Sequence, residues 1–329
     1  MSFFAVLLAL AIEQLRPLPR GNLVHESLVA WTRWTGRNFD AGQEHHAWVV
    51  WSITVLGPTI VATAVFLVLS RFSLLLGLAW NVVVLYLTLG FRQFSHYFTD
   101  LRDALERGDE TQARSLLAEW RHLDTSDLPR TELLRHVIEH SLLAAHRHVF
   151  GVFFWFVLLS SIGLGPAGAV FYRLAEFSSR YWAFKHRTVG IPTNERLMRR
   201  SQRMFSLIDH VPVRMTAFGF AVVGNFEEAV ECWRRDAGLW LQPNDGVLLA
   251  AAAGAVGVRL GGSAAPAVTP DRSKSFALGS DADETEALGS TPGLAPQFGH
   301  LRSVVGLVWR SVALWMLLLA LLSLANLVG

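Results

Sequence analysis

The chain alternates long apolar blocks with polar stretches, on a scale much coarser than the 3.6-residue stripe of a soluble helix. Ala47–Leu69 is uncharged and longer than the ~20 residues that a helix needs to cross the hydrocarbon core. Its Gly57-Pro58 predicts a kink. Ser70-Arg71 predicts a tight turn, and Phe72–Leu89 a returning span in which Asn81 is a candidate interhelical hydrogen bonder. Val149–Ala175 is a third apolar block. Gly163, Gly165, Pro166 and Gly168 near its middle predict a broken helix or two shorter helices in close contact. Behind Arg310, Ser311–Val328 forms a final helix. Met1–Ile12 is short for a span and lacks the basic start and small-residue cleavage site of a secretory leader, so it reads as a retained half-helix or short first span.

The polar stretches carry the rest. Arg20–His46 places Leu23, Leu28, Trp31 and Trp34 at helix-like spacing, the pattern of a helix lying at the membrane interface. Phe91–His148 is expected outside the lipid. Within it Leu101–Arg107 and Glu110–Trp120 form helices separated by Gly108-Asp109, and Asp109 with Gln112 fits a capping box. The second helix should bury Ala113, Leu116, Leu117 and Trp120. After a turn-rich His122–Pro129, a polar helix over Thr131–His148 carries Arg135, His136, Glu139, His140, His146, Arg147 and His148. Charges at the mouth of a span can snorkel to the headgroups. Glu176–Arg214 is basic. Met215–Val223 and Val247–Leu260 are read as re-entrant or protein-packed helices, and Gly261–His300 as a mobile loop.

These patterns predict an all-α fold, a polytopic membrane helical bundle with re-entrant or broken helices and polar helical loops. Along the chain it divides into an N-terminal segment and hairpin (1–90), a polar helical loop (91–148), a membrane-embedded core (149–262), a flexible loop (263–300) and a C-terminal transmembrane helix (301–329). If Gly163–Gly168 makes a hairpin, both basic loops fall on one side, the cytoplasmic one by the positive-inside rule.

Composition agrees: hydrophobic residues are 52% and charged residues 17%, on the membrane side of soluble averages. A net charge of +2 without a basic stripe gives no case for nucleic acid as partner. Cys232 is the only cysteine, which excludes an intramolecular disulfide.

One region concentrates what lipid-facing helices avoid. Asp209–Thr216 (Asp-His-Val-Pro-Val-Arg-Met-Thr), Pro243-Asn-Asp-Gly246 and Ala253–Gly262 combine Pro, Gly, Asn and Arg between apolar blocks. Irregular backbone at membrane depth survives only where it is buried in protein or lines a cavity, so this region predicts the floor of a site. Arg214 and Arg259 suit bidentate binding of phosphate or carboxylate, or else a headgroup or loop-carboxylate contact. Arg135 and Glu139, four apart, pair with each other or leave Glu139 as metal-phosphate ligand or general base. His136 and His140 stand one turn apart, but no further first-shell spacing accompanies them and the metal stays unknown. Walker-type and Gly-x-Ser-x-Gly motifs are absent from the sequence.

Several runs, in order, resemble the CobD/CbiB membrane proteins. They are Ala104–Arg114 with Asp124-Thr125 (family "AL..GD...AR...GRDT"), Ile138-Glu139 ("VE"), Val149–Trp155 ("vvAPLFY") and Gly165–Arg173. Val211–Thr216 is similar to "IPARLT", and Arg235-Asp-Ala, Pro243-Asn-Asp-Gly and Ala253–Gly262 to "RDA…PNAG…AGALGVRLGG". Departures accompany the matches. Leu142–His148 stands where the family has Ala-Glu-Asn-x-x-Asp-Gly, so Leu143 and Arg147 replace an acidic pair. Glu176–Tyr181 replaces "NTLDSM", and Phe205 and Ser206 replace aspartates before "IPARLT". Fewer carboxylates mean fewer oxygen ligands for a magnesium–nucleotide pair.

The resemblance implies an inner-membrane enzyme of cobalamin biosynthesis, joining aminopropanol or its phosphate to the propionate carboxylate of cobyric acid. ATP and Mg2+ are implied as cofactors. The corrinoid, the amino-alcohol, the bilayer and other membrane proteins of the pathway are implied as partners. On that reading Asp124 and Glu139 are metal or base groups, Arg214, Arg259 and Thr125 bind substrate, and Asn244 with Gly246 shapes the loop. The alternative is a non-catalytic inner-membrane regulator like the AmpE proteins, which are similar in the short N-terminal run and the Pro-Val-Arg stretch.

Overall fold

A computed structural model describes residues 2–15, 23–40, 44–89, 91–121, 128–189, 192–262 and 287–328. Among them the regular elements are helices: α1 (Ser2–Leu15), α2 (Leu23–Phe39), α3 (Glu44–Phe72), α4 (Leu74–Thr88), α5 (Phe91–Glu106), α6 (Glu110–Arg121) and α7 (Arg130–Ala145). A π-helical turn, His146–Phe150, joins α7 to α8 (Gly151–Ser161). Then come α9 (Ala167–Val189), α10 (Pro192–Val223), α11 (Phe226–Asp236), α12 (Pro243–Val256) and α13 (Phe298–Val328). Three helical runs are long and apolar enough to cross a membrane: His46–Phe72, Arg130–Ser161 and Phe298–Ala325. The chain is an all-α membrane protein. It divides into two compact units, one of residues 1–93, 151–209 and 269–279, the other of 94–150, 210–268 and 280–329.

In the first unit α3 packs against α2, α4 and α9, and α8 against α9. The α3–α4 turn is set by Ser73, an N-cap whose hydroxyl accepts from the Leu75 amide. At 15 residues α4 is about 22 Å long, short of the ~30 Å hydrocarbon core, so it is a short apolar helix and not the full span expected. Asn81 is buried in it, yet its Oδ1 finds no hydrogen-bond partner among the described residues, so the expected interhelical bond is not made through that atom. The Gly163–Gly168 cluster does break the third apolar block into a hairpin. Gly163 and Gly165 take positive φ (83° and 57°), which side chains resist. A Cβ at Gly168 would sit 1.8 Å from the Trp155 carbonyl oxygen, so only glycine lets α9 approach α8 this closely.

Neither proline in mid-helix breaks its helix. Pro58 lies inside α3 and Pro212 inside α10. Each lacks the N–H that would bond the carbonyl four residues back. Trp31 Nε1 donates to the Thr54 oxygen (3.3 Å), and Trp155 Nε1 to the Ile208 oxygen (3.2 Å), so an indole takes the missing donor's place both times. The broken backbone expected at Asp209–Thr216 is therefore helix, and Met215–Val223 is the end of α10 instead of a separate re-entrant element. Likewise the basic Glu176–Arg214 stretch is mostly α9 and α10.

In the second unit α12 packs against α7, α11 and α13, and α6 against α7. The Gly108-Asp109 boundary between α5 and α6 holds: Gly108 is at φ 78°, and Asp109 Oδ1 accepts from the Gln112 amide (2.9 Å). Gln112 itself takes a bond from Arg107, so the reciprocal half of the capping box is not made. Ala113 and Leu117 are buried and Leu116 is half-buried. Trp120 lies outside the residues whose side chains are described.

Candidate functional site

The largest departure from the sequence reading is α7. Expected outside the lipid, it continues through the π turn into α8 as one run, and 72% of that run's most apolar window is buried inside the protein, against 22% and 33% for the other two spans. Leu133 to Phe150 are buried without interruption. The charged and histidine side chains of this segment therefore face protein, not headgroups, because neighbouring helices cover the polar side of α7 as well as its apolar side. Buried charge must be paired and hydrogen-bonded, and the pairs form two clusters that make up the candidate site.

Its first cluster lies within α7. Arg135 donates through Nη1 to both Glu139 oxygens (3.2 and 3.3 Å) and through Nε to Glu132 (2.8 Å). Glu139 is fully buried and accepts a second, remote donor, the Gly261 amide at 2.7 Å. Gly261 and Gly262 have φ of 83° and 120°, conformations that L side chains rarely adopt, and Gly262 lies against the Arg135 guanidinium. The double glycine thus lets main chain approach a buried carboxylate–guanidinium pair.

Holding that loop is local. Gly257 ends α12 in the left-handed region, and residues 257–262 then run alongside 289–294. Arg259 N–H donates to the Leu294 oxygen (2.8 Å), Thr291 N–H to Leu260 (2.8 Å) and Gly262 N–H to Gly289 (2.8 Å). Residues 287–300, expected to be mobile, are in place, and the last three open α13; 263–286 lie outside the described residues.

A second cluster joins the π turn to α10 and α12. Arg147 Nη2 donates to both oxygens of Asp245 (3.0 and 3.1 Å), and both side chains are about nine-tenths buried. Asp245 stands in the first turn of α12, where the helix dipole favours an anion. His146 Nδ1 lies 2.9 Å from the Thr216 hydroxyl, which itself reaches back to the Pro212 oxygen (3.0 Å). A π turn re-aims the side chains that follow it and often marks a functional position.

The expected site residues divide. Glu139 is at the centre of the first cluster. Asn244 is buried in the first turn of α12, a helix where a loop was expected. Gly246 is there for close packing: a Cβ would fall 2.0 Å from the Ala237 oxygen. Arg214 is bonded to the His210 oxygen of its own helix (2.8 Å), and Arg259 is exposed with its guanidinium at the Gly293 oxygen (3.3 Å). Neither is bonded to the buried clusters. Asp124 and Thr125 lie outside the described residues. No group of three or more His, Cys, Asp or Glu among the described residues converges as a metal shell, so His136 and His140 gain no further ligands there. The long-range pairs Arg147–Asp245 and His146–Thr216 had no local signal. Their only trace is a polar residue type persisting inside an apolar helical run.

A family model for the CobD/Cbib proteins matches residues 2–284, which include both clusters. The chain belongs to that family. Among its CobD/CbiB relatives, "Cobalamin biosynthesis protein CobD" of Stutzerimonas stutzeri (strain A1501) is 32% identical over 280 residues, 84% of this chain and 82% of the relative. A protein of the same name from Chromobacterium violaceum is 33% identical over 227 residues, 65% of this chain and 67% of its own. Another from Pelobacter propionicus is 27% identical over 266 residues, 78% of each. No solved structure matches the chain.

Proposed function

We propose that this CobD/CbiB protein works in cobalamin biosynthesis at the inner membrane. There it joins aminopropanol, or its phosphate, to the propionate carboxylate of cobyric acid, with the site opening to the cytoplasm. The observation that supports this most is the Arg135–Glu139–Gly261 cluster, in which the family-like "VE" glutamate and the family-like Gly-Gly run come together from 122 residues apart. In this reading the Arg135–Glu139 pair fixes the Gly261-Gly262 main chain beside the reacting groups, and Glu139 is the group to hold or move a proton at Oε2. Arg214 and Arg259, both at accessible positions, would take the phosphate or the corrin carboxylates, with Thr125 and Asp124 as further candidates. Asn244 would stand beside the Arg147–Asp245 pair.

Amide formation from a free carboxylate needs activation, which ATP with Mg2+ supplies. The described residues do not fit a divalent-cation shell, because Glu139 and Asp245 are each held by a guanidinium. No step is therefore drawn through the cation.

That same pair favours a second reading. Arg147 and Asp245 stand where the family pattern has an acid and an alanine, so the charge has changed sides and been neutralised internally. A member that has lost catalysis, acting as an AmpE-like membrane regulator, would tolerate such a pair.

The deciding experiment supplies adenosylcobyric acid, aminopropanol phosphate, ATP and magnesium to membranes containing the protein. Amide product that disappears in Glu139→Gln, with the variant folded by size-exclusion profile, supports the enzyme. No product, beside an active relative in the same assay, supports the regulator.

A further inference from the structure

The first unit carries a second concentration of charge that the amide-forming reading does not use. On α10, Arg196, Arg199, Arg200 and Arg203 follow one another at the three- and four-residue spacings of one helix face. Together with Ala47 of α3 they line an open cavity of about 260 Å³. The Arg200 guanidinium lies 5.8 Å above the ring of Trp48, and Arg199 is bonded to Glu195 (2.6 Å). No carboxylate among the described residues meets Arg196, Arg200 or Arg203. Like charges at this spacing destabilise a helix, so the face costs stability unless an anion sits in it.

The groove's depth identifies the anion. The membrane-length run of α3 begins at His46, so Ala47 and Trp48 occupy its first turn, at headgroup level. Trp48 and Val49 are 44% and 37% exposed, and Leu56, Ile60 and Val61 continue an uncovered apolar path along the same helix. A phosphate in the arginine groove would therefore have acyl chains lying against α3. We propose that the α10 arginines and Trp48 form a binding site for an anionic phospholipid, its phosphate held by Arg196, Arg200 and Arg203. Basic pockets beside membrane helices are the recognised chemistry for such headgroups.

The test uses the full-length protein, stripped of lipid in detergent, and native mass spectrometry with added cardiolipin, phosphatidylglycerol or phosphatidylcholine. The wild type should retain the anionic lipids over phosphatidylcholine. The triple variant Arg196→Gln/Arg200→Gln/Arg203→Gln should lose on the order of a hundredfold in anionic-lipid affinity, at roughly a factor of five per guanidinium. If the triple variant fails to fold, Arg203→Gln alone should lose about fivefold. Equal binding of anionic and zwitterionic lipid by the wild type would overturn the proposal, as would an undiminished preference in a folded variant. Displacement of the lipid by pyrophosphate at the lipid's own concentration would also overturn it, assigning the groove to a soluble phosphate.

Discussion

The run from α7 through the π turn holds two buried ion pairs that differ in how far apart their partners lie along the chain. Arg135 and Glu139 are four residues apart, whereas Arg147 reaches Asp245 across 98 residues. Arg135 also keeps a second acid, Glu132, and Glu139 a second donor, Gly261. Arg147 and Asp245 are brought together by long-range packing, from the π turn and the first turn of α12. A pair within one helical turn forms wherever that helix forms, whereas a pair across 98 residues forms only in the packed fold.

That difference predicts the order of mutational effects. Asp245→Ala should cost most, about 3–5 kcal/mol, because it removes the carboxylate that the buried Arg147 guanidinium bonds through both oxygens. Thermal unfolding in detergent should show the loss, and Arg147→Leu/Asp245→Ala should recover most of it. A double variant no more stable than Asp245→Ala would mean that the penalty is packing and not charge. Glu139→Gln should cost less, about 1–3 kcal/mol, since Gln still accepts from Gly261 N–H and Arg135 still has Glu132. Glu139→Ala should lose the Gly261 bond as well, and hydrogen exchange at that amide should quicken in the Ala variant more than in the Gln variant.

The same local–remote division explains what could be read from the chain. The Gly108-Asp109 cap and the Gly163–Gly168 break were legible because glycine and a capping acid act on their own backbone. Pro212 misled because the rule it suggests is local while its remedy is not: an indole from another helix satisfies the carbonyl. α7 misled in the same way. Charge on a helix argues for solvent only until other helices supply partners, and Asp245 and Thr216 come from distant segments. Glu139 is legible as a candidate from its motif, but its hydrogen bond from the Gly261 amide is visible only in the fold.

The indole contacts give a smaller and cleaner comparison. Trp155→Phe keeps the ring and removes the N–H, so the Ile208 oxygen is left without that donor, at about 1 kcal/mol. In a Pro212→Ala background residue 212 regains its amide, the helix can bond that oxygen itself, and Trp155→Phe should cost clearly less. Additive effects in the double-mutant cycle would show that indole and proline are not coupled through this carbonyl.

The smallest effect concerns a cation whose neighbours are like-charged. Lys185 is partly buried near Arg33 and Arg37, and its pKa is lowered first by desolvation and then by those two guanidiniums. The folded state thus binds this proton more weakly than the unfolded state does. The penalty is complete at pH values below the folded pKa, where both states are protonated. It fades as pH rises from that value toward the unfolded one near 10.4, so Lys185 adds stability on the alkaline side. Lys185→Met should remove this gain and flatten the alkaline limb of a melting-temperature profile relative to wild type. An unchanged limb would mean that other groups set it.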